Sequence, residues 1–180
     1  MSPSLAKKGL PILLLFSLLG ILGYELFYAK PHELPSALIG EPVPHFVLPT
    51  LSGSATFSEQ ALQGKVSLIN IWATWCYACS LEHPILMKIS REYHIPIYSI
   101  DYKDDREAAK LWLNEHGNPY VEIGDDHQGD VGIDFGVYGT PETFVINKQG
   151  NIVYRHVGAI DQKTWDDVLY PLVLKYQGMA

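Results

Sequence analysis

The chain has 180 residues, of which 47% are hydrophobic and 18% charged, and its formal net charge is −7. This is enough apolar material for one globular domain of ordinary size and a short appendage. A nucleic-acid partner is excluded, because phosphate binding needs clustered Lys and Arg and the sequence contains no such cluster.

The first thirty residues predict a membrane anchor. Lys7 and Lys8 precede an almost unbroken apolar run from Gly9 to Tyr24, which resumes after Glu25, and a membrane helix needs about 17–25 residues. A cleaved secretory signal has the same basic start, but residues 17–40 contain no pair of small residues at the spacing of a cleavage site. The lysines predict a cytoplasmic N-terminus, so the rest of the chain would lie beyond the membrane.

Three regions follow from this interpretation. Residues 1–28 are the cytoplasmic N-terminus and transmembrane anchor. Residues 29–41 are a tether, since Pro31 and Pro35 disfavour a continuous helix there. Residues 42–180 are the globular domain.

Strand and helix patterns alternate through the globular domain, and this alternation predicts an α/β fold with helices on a central sheet. In chain order, the patterns predict a buried strand at Lys65–Trp72, a helix at Cys76–Tyr93, a second strand at Ile95–Asp101, a helix at Asp104–His116, a hairpin of Thr143–Asn147 and Asn151–Val157, and a C-terminal helix at Gln162–Tyr176.

The two cysteines of the chain, Cys76 and Cys79, are separated by two residues. At the N-terminus of a helix, backbone N–H groups and the helix dipole stabilise a thiolate, so Cys76 is predicted to be a nucleophile. Cys79 lies one helical turn further on, where it can resolve a disulfide that Cys76 has formed. We therefore predict a redox-active Cys76–Cys79 disulfide.

Two other uses of the cysteine pair are disfavoured. A purely structural disulfide would gain little, because it encloses only two residues. A zinc site needs four ligands, and the sequence has no second cysteine pair or histidine pair at zinc-finger spacing. We therefore expect no metal and no cofactor besides the disulfide itself.

Several segments make the resemblance to a known family specific. The segment Trp72–Cys79 (WATWCYAC) with Pro84 resembles a thioredoxin-superfamily active site, and Gly139-Thr140-Pro141 resembles that superfamily's cis-proline loop. The strings that resemble the DsbE/CcmG family of cytochrome c maturation proteins are Tyr102–Asp105, Gly117–Tyr120 and Gly136–Phe144. The likeness extends from about Glu41 to Tyr176 and implies a thioredoxin-like fold.

Asn70 departs from the general thioredoxin pattern, in which a buried aspartate serves proton transfer at this position. The resemblance places an acidic residue at Glu82, three residues after Cys79 and on the same helical face. A buried carboxylate there could take the proton of Cys79 as that thiol attacks the mixed disulfide. The alternative is an exposed helix charge.

Glu142 belongs to the Pro-Glu-Thr signature of the resembled family and is expected to border the cysteines. A second negative charge there would disfavour the thiolate and raise the thiol pKa. Because thiolate stabilisation makes a dithiol protein oxidising, the expectation is a reductant. A structural role for Glu142 as a cap of the loop after Pro141 is the alternative.

Glu142 is also a candidate for client binding, together with three further residues. Trp75, next to Cys76, is expected in an aromatic rim around the sulfur atoms. A cis bond between Thr140 and Pro141 would turn the Thr140 backbone toward an extended client peptide, which could add as a strand. An ordinary trans turn is the alternative.

The resemblance implies a single-pass protein of the bacterial inner membrane with its redox domain in the periplasm. Its client would be the haem-binding cysteine pair of apocytochrome c, and a membrane thiol reductase of the DsbD or CcdA type would supply electrons. Reduction of a copper-site assembly protein and a binding module without turnover remain alternatives. A disulfide-forming oxidant is disfavoured because Tyr77-Ala78 carries no positive charge, and a peroxiredoxin because it lacks the required threonine and proline upstream of Cys76.

Overall fold

A computed structural model describes residues 3–28, 36–53 and 55–179, and the chain divides into two compact units, residues 1–34 and 35–180. The first unit contains helix α1 (Pro3–Tyr28), which has Pro11 inside it. Within the described ranges, no helix combines the length and the apolar character needed to cross a membrane. Parts of the predicted anchor and tether, residues 1–2 and 29–35, lie outside the described residues.

The second unit alternates strands and helices, as the sequence pattern predicted. Its elements are β1 (Val47–Pro49), β2 (Thr56–Ser58), a 3₁₀ turn (Glu59–Leu62), β3 (Ser67–Trp72), α2 (Tyr77–Glu92), β4 (Ile97–Tyr102), α3 (Arg106–His116), β5 (Glu122–Asp126), α4 (Asp130–Asp134), β6 (Glu142–Ile146) and β7 (Ile152–Val157). The C-terminal helix consists of α5 (Gln162–Thr164), a π-helical turn (Trp165–Leu169) and α6 (Tyr170–Gln177).

The central sheet has the strand order β5-β4-β3-β6-β7. Strands β3, β4 and β5 are parallel; β6 pairs with β3 in the antiparallel direction, and β7 pairs antiparallel with β6. All six residues of β3 are buried, as expected for a central strand covered on both faces, and four of them are apolar: Leu68, Ile69, Ile71 and Trp72. The predicted α/β fold with helices on a central sheet is confirmed, and the sheet is mixed.

Two hydrophobic clusters cover the two faces of the sheet. Because successive side chains of a strand alternate, Leu68 and Trp72 belong to the cluster with α2, α3 and the C-terminal helix, whereas Ile69 and Ile71 belong to the cluster with the β1–β2 hairpin and α4. Residue Gly40 of the predicted tether already contacts this domain, because its N–H donates to the Ile152 carbonyl at 2.7 Å.

Three chain segments meet at the end of the sheet where the parallel strands have their carboxyl ends. We call this end the cysteine edge of the sheet. The carboxyl end of β3 leads into the cysteine segment, and β6 runs antiparallel to β3 with Glu142 opposite Ile71. The loop before β6, which contains Pro141, therefore lies at the same edge as the cysteines. Strand β4 ends at this edge too, with Asp101 opposite Trp72. The fold thus brings three separate chain segments to one place.

Candidate active site

The cysteine pair lies where β3 ends and α2 begins. Cys76 is the N-cap of α2, and its Sγ accepts a hydrogen bond from the Cys79 N–H at 3.1 Å. The two residues form a disulfide, which confirms the predicted pairing. The same N–H would stabilise a Cys76 thiolate in the reduced protein, as predicted for a helix N-terminus. In the disulfide form both residues are buried, with 6% of Cys76 and 4% of Cys79 exposed.

The turn that presents Cys76 is held from the side by the loop between β4 and α3. The Cys76 N–H closes the turn onto the Ala73 carbonyl at 3.2 Å. Inside it, the Thr74 N–H and hydroxyl donate to the two carboxylate oxygens of Asp104 at 2.5 and 2.8 Å. The Trp75 indole N–H donates to the Lys103 carbonyl at 3.1 Å. We call Lys103 and Asp104 the clamp.

Glu82 lies on the inner face of α2 and is 0% exposed. Its carboxylate accepts hydrogen bonds from the Asn70 side-chain amide at 2.8 Å and from the Ile160 N–H at 3.0 Å. Burial raises the pKa of Glu82 to about 7, although both hydrogen bonds oppose the shift. The alternative of an exposed helix charge is wrong, and Glu82 is a buried acid that changes charge near neutral pH.

Asn70 connects Glu82 to the rest of the buried polar groups. Its amide nitrogen also donates to the Thr143 hydroxyl at 3.0 Å, and its amide oxygen accepts from the Tyr120 hydroxyl at 2.9 Å. Tyr120 stacks on Trp72, and its burial, together with the charges of Glu82 and Asp101, raises its pKa well above 10. Tyr120 is therefore a neutral hydrogen-bond donor that fixes the orientation of the Asn70 amide.

The structure corrects the predicted electrostatic role of Glu142. Its carboxylate is buried and forms an ion pair with the Arg155 guanidinium at 2.7 Å, and it accepts from the Tyr138 N–H at 3.2 Å. Its neighbour Thr143 faces Asn70 on the α2 side, so alternation along β6 turns Glu142 toward the opposite face. The negative charge of Glu142 is thus balanced by Arg155, and the carboxylate holds the loop before β6.

The predicted client-binding residues lie at the cysteine edge of the sheet. The Thr140–Pro141 peptide bond is cis, which confirms the prediction. Trp75 is 59% exposed, as expected for a rim residue, and Tyr77, which follows Cys76, is exposed too. Whether Trp75, Thr140, Pro141 and Glu142 contact a client stays a prediction.

Four residues of the site were not singled out from the sequence. Tyr120 and Asp104 lie in strings that carried the family resemblance, and Arg155 lies on β7. Asp101, at the end of β4, is a second buried acid near the cysteine turn. Among the described residues, no group of three or more His, Cys, Asp or Glu side chains is arranged to hold a metal ion.

The chain is similar to several known proteins over most of its length. Residues 38–169 match the Redoxin family. The chain is 46% identical over 168 residues to the thiol:disulfide interchange protein DsbE of Pseudomonas fluorescens biotype C, covering 93% of this chain and 92% of the relative. It is 45% identical over 152 residues to the DsbE protein of Escherichia coli K12, covering 83% and 82%. A solution structure of a thioredoxin-type protein from Neisseria meningitidis matches with a TM-score of 0.65 and 30% identity, covering 76% of this chain and 89% of that one.

The fold, the cysteine pair at a helix N-terminus and the buried acid beside it define a thioredoxin-like thiol:disulfide oxidoreductase. The extent and level of identity make the family assignment more specific. The chain belongs to the DsbE/CcmG family of thiol:disulfide interchange proteins.

Proposed function

We propose that the chain reduces the haem-binding cysteine pair of apocytochrome c in the periplasm. The observation that carries the proposal is Glu82, a buried acid with a pKa of about 7 on the helical face that also carries Cys79. Such a group can accept the proton of Cys79 at neutral pH and, when ionised, disfavours a neighbouring thiolate. Both effects suit a dithiol that gives its electrons away.

The reaction proceeds in two exchanges. The Cys76 thiolate attacks one sulfur of the client disulfide, so that the client S–S bond breaks, a Cys76–client mixed disulfide forms and the other client cysteine leaves as a thiolate. Cys79 then gives its proton to Glu82 and attacks the Cys76 sulfur. The Cys76–Cys79 disulfide forms, the second client thiolate leaves, and two electrons have passed to the client.

Client docking is assigned to the edge where the turn before α2 meets the loop before β6. Trp75 offers an exposed aromatic surface next to the disulfide. The backbone at Thr140 and Pro141 offers an edge to which an extended peptide can add. Glu142 and Arg155 hold this loop through the bond to the Tyr138 N–H.

The remaining parts of the cycle rest on the family resemblance and the N-terminal sequence. A membrane thiol reductase of the DsbD or CcdA type would return two electrons to the Cys76–Cys79 disulfide. Residues 1–28 would anchor the chain in the inner membrane with Lys7 and Lys8 on the cytoplasmic side. The redox domain would then face periplasmic clients.

A trapping experiment tests the client. In a Cys79→Ala chain, Cys76 can form the mixed disulfide but nothing resolves it, so clients should remain disulfide-linked to Cys76 in membranes. The expected client is apocytochrome c, identified by mass spectrometry after diagonal electrophoresis. A chain with both Cys76→Ala and Cys79→Ala is the matched control.

Each other outcome argues against the proposal. Capture of a copper-site assembly protein instead of apocytochrome c would reassign the client. No trapped client, together with no reduction of a Cys-x-x-Cys-His peptide disulfide by the unaltered chain, would indicate a binding module without turnover.

A further inference from the structure

Asp101 is a buried acid that the reaction above does not use. It ends the buried part of β4, opposite Trp72 of β3, and is 0% exposed. Within the part of the chain that the structure describes, no group donates a hydrogen bond to either carboxylate oxygen of Asp101. An ionised carboxylate without a donor is costly to bury. We therefore expect Asp101 to be a neutral carboxylic acid in the folded chain.

The carboxyl group that interacts most directly with Asp101 is that of Asp104 in the clamp. Two carboxylates can share a hydrogen bond only if one of them carries a proton. Asp104 already accepts from the Thr74 N–H, the Thr74 hydroxyl and the Asp105 N–H. These donors occupy both carboxylate oxygens of Asp104, so the proton of the pair belongs on Asp101, which can donate to Asp104.

The other titratable groups around Asp101 point the same way. Burial is the largest cause of the shift, and the negative charges of Asp104, Asp125 and Asp105 add to it, so that the pKa of Asp101 rises to about 8. Asp125 forms an ion pair with Arg106 at 2.6 Å, and the Tyr120 phenol is neutral. No cation among the described residues contacts Asp101 itself.

We propose that Asp101 is a positioning residue for the disulfide exchange: as a neutral acid it donates its O–H to Asp104, and this bond holds the Asp104 carboxylate in the orientation that clamps the Cys76 turn. When Asp101 ionises, the donated hydrogen bond is lost and two adjacent carboxylates repel. The clamp on Thr74 then loosens. The site would therefore work best below about pH 8, where Asp101 keeps its proton.

The protonation state can be observed directly. In the reduced full-length chain labelled with ¹³C at aspartate carboxyl carbons, one resonance should titrate near pH 8, and Asp101→Asn should remove it. Asp101 titrating below about pH 5, as exposed aspartates do, would overturn the proposal.

The consequence for exchange is tested by substitution. Asn at position 101 can donate a hydrogen bond to Asp104 at every pH, whereas Ala cannot. The measured quantity is the rate of insulin reduction from pH 6 to 9.5. This assay does not depend on the client assignment. Asp101→Asn should match the unaltered chain within about twofold at pH 6–7 and exceed it by about fivefold at pH 9.5, the factor expected from one hydrogen bond. Asp101→Ala should be slower at pH 6–7 by a similar factor.

The control and the opposing outcome complete the test. Glu107→Gln removes an exposed charge from α3, the helix that follows the clamp, without touching the clamp, and its rate ratio to the unaltered chain should not change with pH. An Asp101→Asn chain whose ratio also stays constant from pH 6 to 9.5 would overturn the proposal. If Asp101→Ala does not fold, the Asn variant and the ¹³C titration still decide.

Discussion

At the residue scale, Asn70 explains how Glu82 can lie buried beside the cysteine helix. The amide donates to both Glu82 and Thr143, and its oxygen accepts from Tyr120, so all its hydrogen-bonding groups are used. An aspartate at position 70 would place a second carboxylate 2.8 Å from Glu82 in place of that donor. General thioredoxins carry the buried acid on the strand, at the position of Asn70. In this chain the buried acid is Glu82 on the helix, one turn beyond Cys79.

Glu82→Gln should slow the resolution step. Glutamine keeps the shape of the side chain but cannot accept the proton of Cys79, and general-base catalysis is worth about 100-fold or more. The mixed disulfide with a small substrate should therefore accumulate in acid-quench experiments. In the unaltered chain, the rate of resolution should fall as pH falls through about 7, where Glu82 becomes protonated. The pH–rate profile of Glu82→Gln should lack this inflection.

Glu92→Gln is the matched control for this prediction, because Glu92 is exposed at the far end of the same helix α2. Its resolution rate should equal that of the unaltered chain. An unchanged rate in Glu82→Gln would leave Glu82 with a structural role only.

Glu142→Gln should destabilise the fold rather than change thiol chemistry. It leaves the guanidinium of Arg155, whose side chain is 7% exposed, without its charge partner, and breaking a buried pair costs about 3–5 kcal/mol. Urea unfolding measures the loss. Adding Arg155→Gln to Glu142→Gln should recover part of the lost stability, because the unpaired charge is gone. A Glu142→Gln chain as stable as the unaltered chain would contradict a stabilising role of the ion pair.

Sequence reasoning found the site residues that are linked by local spacing. Glu82 follows Cys79 by one helical turn, and helical periodicity alone places them on one face. Arg155 was missed because its pairing with Glu142 depends on the register of β6 and β7, which contains an irregularity near Val145. Asp101 was missed because its burial depends on what packs over the end of β4.

At the element scale, the elements with strong apolar periodicity were predicted and the polar or short ones were not. Strand β5 was missed because its sequence, EIGDD, is rich in strand-disfavouring residues, and the β1–β2 hairpin because its strands have three residues each. The predicted C-terminal helix contains a π turn that the periodicity does not reveal. That turn lies just before Pro171, which has no N–H to continue the α-helical pattern.

Gly124→Ala should destabilise the contact between the β1–β2 hairpin and β5. A Cβ at position 124 would lie 2.7 Å from Leu48 Cδ1 and 3.1 Å from Phe57 Cδ1, and overpacking of a buried contact costs about 1–3 kcal/mol. The free energy of unfolding in urea measures the effect. Gly139→Ala is the control, since among the described residues no atom except those of its chain neighbours lies within 4 Å of its added Cβ. Equal stability of the two variants would contradict the close approach.

At the scale of the whole molecule, retention of residues 1–28 is the first prediction. The run after Lys7 and Lys8 carries no recognisable cleavage site, so the mature chain in the membrane fraction should keep its N-terminus. Intact-mass measurement of that fraction decides the question. A mature chain beginning between residues 20 and 41 would contradict it.

The free energy of unfolding should depend on pH because Glu82 and Asp101 are buried acids. Glu82 has a folded pKa of about 7, above the ordinary value of 4.5, so between these pH values the folded chain holds a proton that the unfolded chain has released. The free energy of unfolding should therefore fall as pH rises from 5 to 7, with Glu82 contributing about 2 kcal/mol. Asp101 acts in the same direction and extends the fall to about pH 8. Urea unfolding at each pH should show a smaller fall in Glu82→Gln, and the part that remains should disappear when Asp101→Asn is added. Stability that rises from pH 5 to 7 in the unaltered chain would mean that neither acid is protonated in the folded state.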